Sequence, residues 1–145
     1  MLVQVNERIS DSDVQELLEY AVFFDTDELE QASQQYSSSA DNELFAFEDE
    51  GEFLGIIGCR YHINDLQILH LAVRPEDRLK GYGRGLLLEI LDKKNPDSLF
   101  AVTDEEGADF YRNVGFEVTG FTDTSSGSEL FRCVYQAEEE TELSE

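Results

Sequence analysis

Residues 66–87 read LQILHLAVRPEDRLKGYGRGLL and pass from an apolar segment through a glycine-rich turn into a second apolar segment. The nearly continuous apolar run at 66–73 predicts a strand in the middle of a sheet. Pro75 ends this strand, and three glycines between positions 81 and 85 open a helix that carries its leucines on one face. Glycine lets backbone amides approach phosphate oxygens, and a helix N-terminus attracts anions, so this turn is suited to a diphosphate. Glycines at such a turn also serve close packing of strand and helix, and the turn alone leaves both roles open.

Strand and helix patterns continue on both sides of this stretch. Seven segments have the apolar pattern of strands: Leu2, Val3, Val5 and Ile9, then 43–48, 53–61, 66–73, 98–102, the residues from Phe116, and 129–135. Four segments have helical periodicity or capping residues: the stripe from Val14 to Val22, 25–36, the glycine-opened helix up to Asn95, and 104–113. Ser12 and Gln15 fit a capping box at the first helix, and residues 49–52 predict a tight hairpin turn.

The length of 145 residues predicts one domain, because a chain of this size can bury a core without further staples. We place that domain at residues 1–136. Residues 137–145 are rich in glutamate and nearly devoid of apolar side chains, so we expect a disordered acidic tail.

The charge balance restricts the partners. The chain has 33 Asp and Glu against 10 Lys and Arg, a formal charge of -23, which disfavours binding to nucleic acid and to anionic membranes. The same field would attract a cationic substrate, or it serves solubility alone. Cys59 and Cys133 lie in strand patterns without metal-type spacing, so we predict reduced, buried thiols and no metal. No basic leader and no run of about 18 apolar residues is present, which favours the cytoplasm.

Two motifs resemble those of the GNAT superfamily of N-acetyltransferases. Residues 71–87 resemble its acyl-CoA motif, which is an Arg or Gln, two residues, Gly, one residue, and then Gly or Ala; Arg78, Gly81 and Gly83 occupy the defined positions. Residues 108–116 resemble its later motif, in which a helix ends in Tyr, three residues, and Gly-Phe. The Gly-Lys-Ser/Thr ending of a Walker loop and the third glycine spacing of a Rossmann loop are not met, which disfavours nucleotide hydrolysis and dinucleotide redox chemistry.

The resemblance implies a fold and a cosubstrate. It is close over residues 43–121 and extends to the first 40 residues only in the order of their elements. The family fold is an α/β (α+β) domain with a mixed, mostly antiparallel sheet of about seven strands and about four helices. Its fourth and fifth strands, at 66–73 and 98–102 here, splay apart to hold the pantetheine arm of acetyl-CoA.

The resemblance also implies the residues that contact acetyl-CoA. They are backbone groups of the fourth strand, amides and cations of the glycine loop, and one later side chain: Leu71, Ala72, Val73, Arg78, Leu79, Lys80, Gly81, Tyr82, Gly83, Arg84 and Asp104. Four of the ten basic residues, Arg74, Arg78, Lys80 and Arg84, fall within eleven positions, in keeping with an anion site. Asp104 replaces the Asn that relatives often use on the pantetheine arm; we favour its alternative role as a helix N-cap.

The catalytic groups are assigned in the same way. The resemblance implies that the backbone amide of Leu71 stabilises the oxyanion and that Tyr111 protonates the sulfur of the departing CoA, although a packing role for Tyr111 is the alternative. The position where some relatives carry a general base Glu falls on Gln67, which is no base. The remaining candidates are His62 and Asp65 at the strand rim, His70 within the strand, or water, and a histidine in an apolar strand is commonly a hydrogen-bonded core residue.

The expected function is therefore N-acetyl transfer from acetyl-CoA to a primary amine of a small molecule or peptide by direct attack. We expect the protein to favour cationic acceptors. We also expect it to act as a monomer or homodimer. The alternative is a catalytically degenerate CoA-binding module with a regulatory or protein-interaction role, because Gln67 replaces a base. A purely structural interaction protein is a third reading, against which the intact glycine loop argues.

Overall fold

A computed structural model describes residues 1–137. Within them lie seven strands: β1 (Leu2–Gln4), β2 (Asn42–Asp49), β3 (Glu52–His62), β4 (Asp65–Val73), β5 (Ser98–Thr103), β6 (Glu117–Thr122) and β7 (Glu129–Gln136). The four α-helices of this part of the chain are α1 (Ser12–Ala21), α2 (Thr26–Ser38), α3 (Tyr82–Lys94) and α4 (Glu105–Asn113). Short 3-10 helices occupy Asn6–Arg8 and Pro75–Asp77.

The strands form one sheet in the order β1-β2-β3-β4-β5-β7-β6. β4 and β5 run parallel, whereas the pairs β1–β2, β2–β3, β5–β7 and β6–β7 run antiparallel. The parallel register joins Asp65 to Ser98, Leu66 to Leu99 and Gln67 to Phe100, although β4 continues to Val73. This short pairing is expected for strands that diverge, and the mixed seven-stranded sheet confirms the predicted fold class.

The described residues group into two compact units. The first unit comprises Met1–Tyr61 and Ile68–Asn95, and the second comprises His62–Gln67 and the chain from Pro96. The single domain at 1–136 stays a prediction. The acidic tail predicted for 137–145 lies outside the described residues except for Ala137, whose amide donates to the carbonyl of Asp97 at 2.9 Å.

The core of the first unit lies between α1, α2 and its strands, because the apolar stripes of both helices face the sheet. Its buried residues are Val5, Val14, Leu17, Leu18, Ala32, Tyr36, Leu44, Ala46, Phe53, Ile56 and Ala72. The side chain of Asn6 fixes the end of α2 beside β2: its Nδ2 donates to the carbonyls of Tyr36 and Asn42, and its Oδ1 accepts from the Leu44 amide.

The hairpin between β2 and β3 follows the predicted turn. Its central residues, Glu50 and Gly51, both have left-handed backbones, with φ of 53° and 82°. Two such residues make a turn whose twist matches that of the flanking strands, and glycine adopts this conformation without strain.

Two predictions near the N-terminus are wrong in detail. The first strand ends at Gln4 and not near Ile9, because Asn6 turns the chain into a 3-10 helix and bonds to neighbouring segments. The capping box is absent: Asp11 is the N-cap of α1, and the side-chain Nε2 of Gln15 donates instead to the Ile9 carbonyl and the Ser33 hydroxyl.

In the second unit, α4 packs on β5, β6 and β7. The predicted helix start is confirmed, because the Asp104 carboxylate accepts from the Gly107 amide at 3.0 Å. The helix ends at Asn113, as predicted, and Gly115 follows with a left-handed backbone, φ of 102°. Cys133 in this unit and Cys59 in the first are both free and buried, as predicted. Within residues 1–137, no helix has the length and apolar character needed to cross a membrane.

Candidate active site

The start of α3 presents backbone donors that the helix itself does not use. Gly81 is the N-cap with φ of 86°, and no side chain caps this end. The first bond of the helix runs from the Gly85 amide to the Gly81 carbonyl at 2.9 Å. The amides of residues 82–84 precede that bond and therefore have no partner within the helix. Three neighbouring amides at one helix end form an anion-binding arrangement.

The charges around this helix end differ from those at the other helices. α1, α2 and α4 each carry acidic residues in the first turn, namely Asp13, Asp27, Glu28, Glu105 and Glu106. α3 has none in its first turn. The chain has a net charge of -23. Among the four α-helices of the described residues, only α3 has an N-terminus at which an external anion would meet no carboxylate from the first turn.

Two of the four clustered cations are paired with carboxylates. Arg74 bonds to Asp77 and reaches Glu52 at 3.1 Å, and the Lys80 Nζ lies 3.4 Å from Asp77. The hydrogen bond from Arg74, followed by that from Lys80, lowers the pKa of Asp77 below its ordinary value. Within the described residues, Arg78 and Arg84 make no salt bridge, and both are exposed. The positive charge available to a ligand is therefore smaller than the sequence cluster indicates.

Arg78 stabilises the loop through its contacts and also gives the loop a positive charge. Its Nε donates to the Val73 carbonyl at 2.9 Å, and its guanidinium lies 5.2 Å from the ring centre of Tyr20 on α1. One acceptor of the predicted pantetheine edge is thus already occupied. Along the same edge Ala72 is buried, Leu71 is half-buried and Leu79 is exposed.

Tyr111 lies on α4 with 6% of its surface exposed. Its ring packs between Phe110 and Phe116, with centroid distances of 5.1 and 5.0 Å. Burial, and secondarily the neighbouring Cys133, raises the pKa of the phenol, which keeps it protonated at neutral pH. In residues 1–137 no side-chain or backbone group bonds to its hydroxyl. The phenol is therefore protonated and has an unused donor.

The three candidate bases have different surroundings. His62 is exposed, and its Nε2 lies 2.7 Å from the Gln67 Oε1. Asp65 is exposed and accepts from the Ser98 hydroxyl at 2.8 Å. Asp65 precedes Leu71 by six residues on an extended strand, which separates them by about 20 Å at roughly 3.3 Å per residue. Only His70 adjoins the residue predicted to bind the reacting carbonyl.

His70 is held by a residue that sequence reasoning did not single out. Its Nδ1 lies 2.7 Å from the hydroxyl of Tyr36 on α2, and the rings meet edge to face at 5.5 Å. Burial lowers the pKa of His70 to about 4. A Cβ added at Gly58 of β3 would stand 1.7 Å from the Tyr36 hydroxyl, so only glycine leaves room for this pair. A glycine inside an apolar strand was the available signal for such a close approach.

A cleft of about 180 Å³ lies between α2 and β4 beside this pair. It is lined by Glu28, Gln31, Ala32, Gln35, Leu69 and His70. None of the α2 residues that line this cleft was singled out from the sequence. Within residues 1–137, no cluster of three or more His, Cys, Asp or Glu side chains is suited to a metal ion.

Comparisons with known proteins agree with this geometry. Residues 40–118, more than half of the chain, match the acetyltransferase (GNAT) domain family. An uncharacterized N-acetyltransferase of Bacillus methanolicus from the lysA 3' region is 30% identical over 70 residues, or 47% of this chain; the match spans 58% of that relative's length.

Solved structures share the fold. A structure assigned to the GNAT family from Desulfovibrio desulfuricans superposes with a TM-score of 0.79 at 16% identity, covering 94% of this chain and 98% of that one. An aminoglycoside 6'-N-acetyltransferase complexed with coenzyme A gives a TM-score of 0.72 at 12% identity, covering 94% and 96% of the two chains. The family match, together with the glycine-opened helix and the mixed sheet, shows that this chain belongs to the GNAT acetyltransferase family.

Proposed function

We propose that this protein transfers an acetyl group from acetyl-CoA to a primary amine of a small molecule or peptide by direct attack of the amine. The observation that carries the proposal is the N-terminus of α3. It offers three amides without helical partners, a left-handed glycine cap and no acidic residue in its first turn. This end suits the diphosphate of acetyl-CoA, with Arg78 and Arg84 as nearby cations that form no salt bridge within residues 1–137.

The loop and the strand would bind different parts of acetyl-CoA. Residues 79–84 would hold the diphosphate, and backbone groups of residues 71–73 would hold the pantetheine arm. The Val73 carbonyl is engaged by Arg78 at 2.9 Å, so this contact would rely on its amide or on neighbouring groups. Asp104 is assigned to its helix cap, because its carboxylate already accepts from Gly107.

The amine must lose a proton before it attacks. A primary amine with pKa near 10.4 is only about 0.04% neutral at pH 7, equivalent to about 4.6 kcal/mol. His70, with a pKa of about 4, cannot retain that proton at neutral pH. Gln67 has no basic group. We therefore assign the proton to water, which exchanges with solvent through the open cleft.

The departing sulfur needs a partner for its developing charge. A thiol has pKa near 8.5 and a phenol near 10, so complete proton transfer from Tyr111 to the thiolate is uphill by at least about 2 kcal/mol. Burial raises the Tyr111 pKa further. We assign Tyr111 as a hydrogen-bond donor to the sulfur as the carbon–sulfur bond breaks. The thiolate then takes the Tyr111 proton, and water, which has accepted the proton of the amine, returns one to the phenol.

A CoA-binding module without catalysis is the second candidate, because Gln67 replaces the base of some relatives and is bonded to His62. Release of free CoA thiol from acetyl-CoA, measured across a panel of primary amines, separates the two. Amine-dependent release supports the enzyme. Binding of acetyl-CoA by calorimetry without release for any amine supports the module.

A Gly83→Val variant tests the placement of the diphosphate. A side chain at this position should obstruct the approach to the helix amides and weaken CoA binding. Gly85→Val makes the same change in the same helix, at a residue whose amide is already bonded to the Gly81 carbonyl and where a Cβ meets no neighbour, and it serves as the control. Unchanged CoA affinity in Gly83→Val would contradict the assigned loop.

A further inference from the structure

The hydrogen bond between Tyr36 and His70 determines which ring nitrogen of His70 carries the proton. Tyr36 is 2% exposed, and burial raises the pKa of its phenol, so the hydroxyl keeps its hydrogen. Within residues 1–137 the hydroxyl has one hydrogen-bond partner, the Nδ1 of His70 at 2.7 Å. A buried hydroxyl that did not donate would lose its bond to water without replacement. Tyr36 therefore donates to Nδ1, and the proton of the neutral imidazole resides on Nε2.

The packing around Tyr36 holds this arrangement in place. The backbone of β3 at Gly58 leaves no space for a side chain beneath the hydroxyl. The Tyr36 carbonyl accepts from the Asn6 side chain at 2.9 Å, which fixes the end of α2. Burial lowers the pKa of His70 to about 4, so the ring is neutral at physiological pH. His70 is thus a fixed, uncharged donor at neutral pH and not a base.

The same ring lines the cleft between α2 and β4. Because its Nδ1 edge is taken by Tyr36, the Nε2 edge is the part left for a ligand. The cleft is also lined by Glu28, which has no salt bridge within the described residues, by the polar residues Gln31 and Gln35, and by the apolar residues Ala32 and Leu69. An anionic acceptor and a neutral donor together complement a ligand that has both an ammonium group and an oxygen acceptor.

We propose that His70 donates from Nε2 to an oxygen of the acceptor substrate, and that the cleft thereby selects amines with a neighbouring carbonyl, such as amino-acid amides and peptide N-termini, over alkylamines and polyamines. This inference rests on the proposed acetyl transfer. A fully protonated polyamine has only donors, so it leaves the His70 donor unpaired. The loss of one such bond corresponds to a selectivity of about 5- to 150-fold. Tyr36 is the positioning residue, because it sets the tautomer without touching the substrate.

The kinetic test compares two acceptors of the same shape, alaninamide and 3-methyl-2-butylamine. For each protein, kcat/KM for alaninamide is divided by kcat/KM for 3-methyl-2-butylamine. Dividing this ratio in a variant by the ratio in the parent protein cancels the different basicities of the two amines. His70→Leu should reduce the preference for alaninamide about 5-fold or more, and His70→Gln should retain part of it, since the Gln amide can donate from a similar position. Tyr36→Phe should reduce it too, because Nδ1 can then carry the proton. Tyr61→Phe, which removes a phenol bonded to the Lys94 carbonyl, is the matched control and should leave the ratio unchanged.

A second readout does not require turnover. Nitrogen-15 NMR of the imidazole should show the Nε2-protonated tautomer in the parent protein from pH 5 to pH 9 and a mixture in Tyr36→Phe. Alaninamide should shift the His70 Nε2 resonance more than its hydrocarbon analogue does. An Nδ1-protonated ring, equal shifts with both amines, or an unchanged ratio in His70→Leu would overturn the proposal. If no amine is acetylated although these NMR results are obtained, the proposed function fails and the His70 assignment stands.

Discussion

The N-termini of α3 and α4 both follow a strand, yet the chain completes them in opposite ways. The N-cap of α4 is Asp104, whose carboxylate accepts from the Gly107 amide at 3.0 Å, and Glu105 and Glu106 lie in its first turn. The N-cap of α3 is Gly81, and this helix has no side-chain cap and no acidic residue in its first turn. The chain supplies carboxylates to one helix end and none to the first turn of the other.

The difference has an energetic meaning. A side-chain cap contributes about 1 kcal/mol, and a favourable charge at a helix N-terminus adds about 0.3–1 kcal/mol. α3 forgoes both in a protein with 33 acidic residues from which a cap could be drawn. A bound diphosphate would supply them, so the comparison supports the proposal that the cosubstrate binds at α3. On α4, whose N-terminus is capped by its own carboxylate, we propose that the side chain of Tyr111 takes part in the chemistry.

The largest effect is expected for Tyr111. Its replacement tests whether α4 contributes to the chemical step and not to binding. In Tyr111→Phe we expect single-turnover acetyl transfer to slow about 100-fold, the lower end of general acid catalysis, since a thiolate is a fair leaving group. The affinity for acetyl-CoA should change less than twofold. A rate within twofold of the parent between pH 6 and pH 9 would return Tyr111 to a packing role.

The next effect tests the open end of α3. Arg84→Glu gives its first turn the acidic character of α4, and we expect the Kd for CoA to rise about 10-fold through repulsion of the diphosphate. Arg60→Glu makes the same charge change at an exposed position of β3 and is the control. Calorimetric titration that finds equal affinity losses in both variants would assign the effect to net charge and not to the helix end.

A smaller effect is expected at the closed end of α4. Asp104→Ala removes the cap, and we expect the free energy of unfolding to fall by about 1 kcal/mol in urea titrations. CoA affinity should stay within twofold, because the carboxylate is used inside the protein. A large loss of CoA affinity with unchanged stability would instead place Asp104 on the pantetheine arm.

The smallest effect separates this local anion site from the acidic surface as a whole. Raising the salt concentration from 50 to 300 mM should increase KM a few-fold for a cationic diamine, because screening weakens the attraction of a chain with charge -23. An arylamine that is uncharged at pH 7 should respond less. Equal salt dependence for both acceptors would indicate that the acidity serves solubility alone.

Much of the fold could be predicted because its signals are local. The apolar run of β4, the glycines before α3, the Asp104 cap and the left-handed Gly115 each depend on residues a few positions apart. The N-terminal region was predicted less well, because the end of its first strand depends on residues far away along the chain. Asn6 ends β1 early by bonding to the Tyr36, Asn42 and Leu44 backbones, which are 30 to 38 positions away along the chain.

The charges of the loop show a similar limit. Counting residues places four cations near the expected diphosphate, and the three-dimensional structure pairs Arg74 and Lys80 with Asp77. Ion pairs depend on which side chains point towards each other, and spacing along an irregular loop does not determine that direction. The anion site is therefore better described by its amides than by its basic residues.

By itself, the sequence determined the order of strands and helices, the glycine-opened helix and the family motifs, because each is written in neighbouring residues. Only the tertiary structure decided the chemistry of His70. His70 lies on β4, its partner Tyr36 lies 34 positions away on α2, and the space for both depends on Gly58 of β3. A histidine is a base, a donor or a packing residue according to its solvation and its hydrogen-bond partner, and both are created when distant segments pack together.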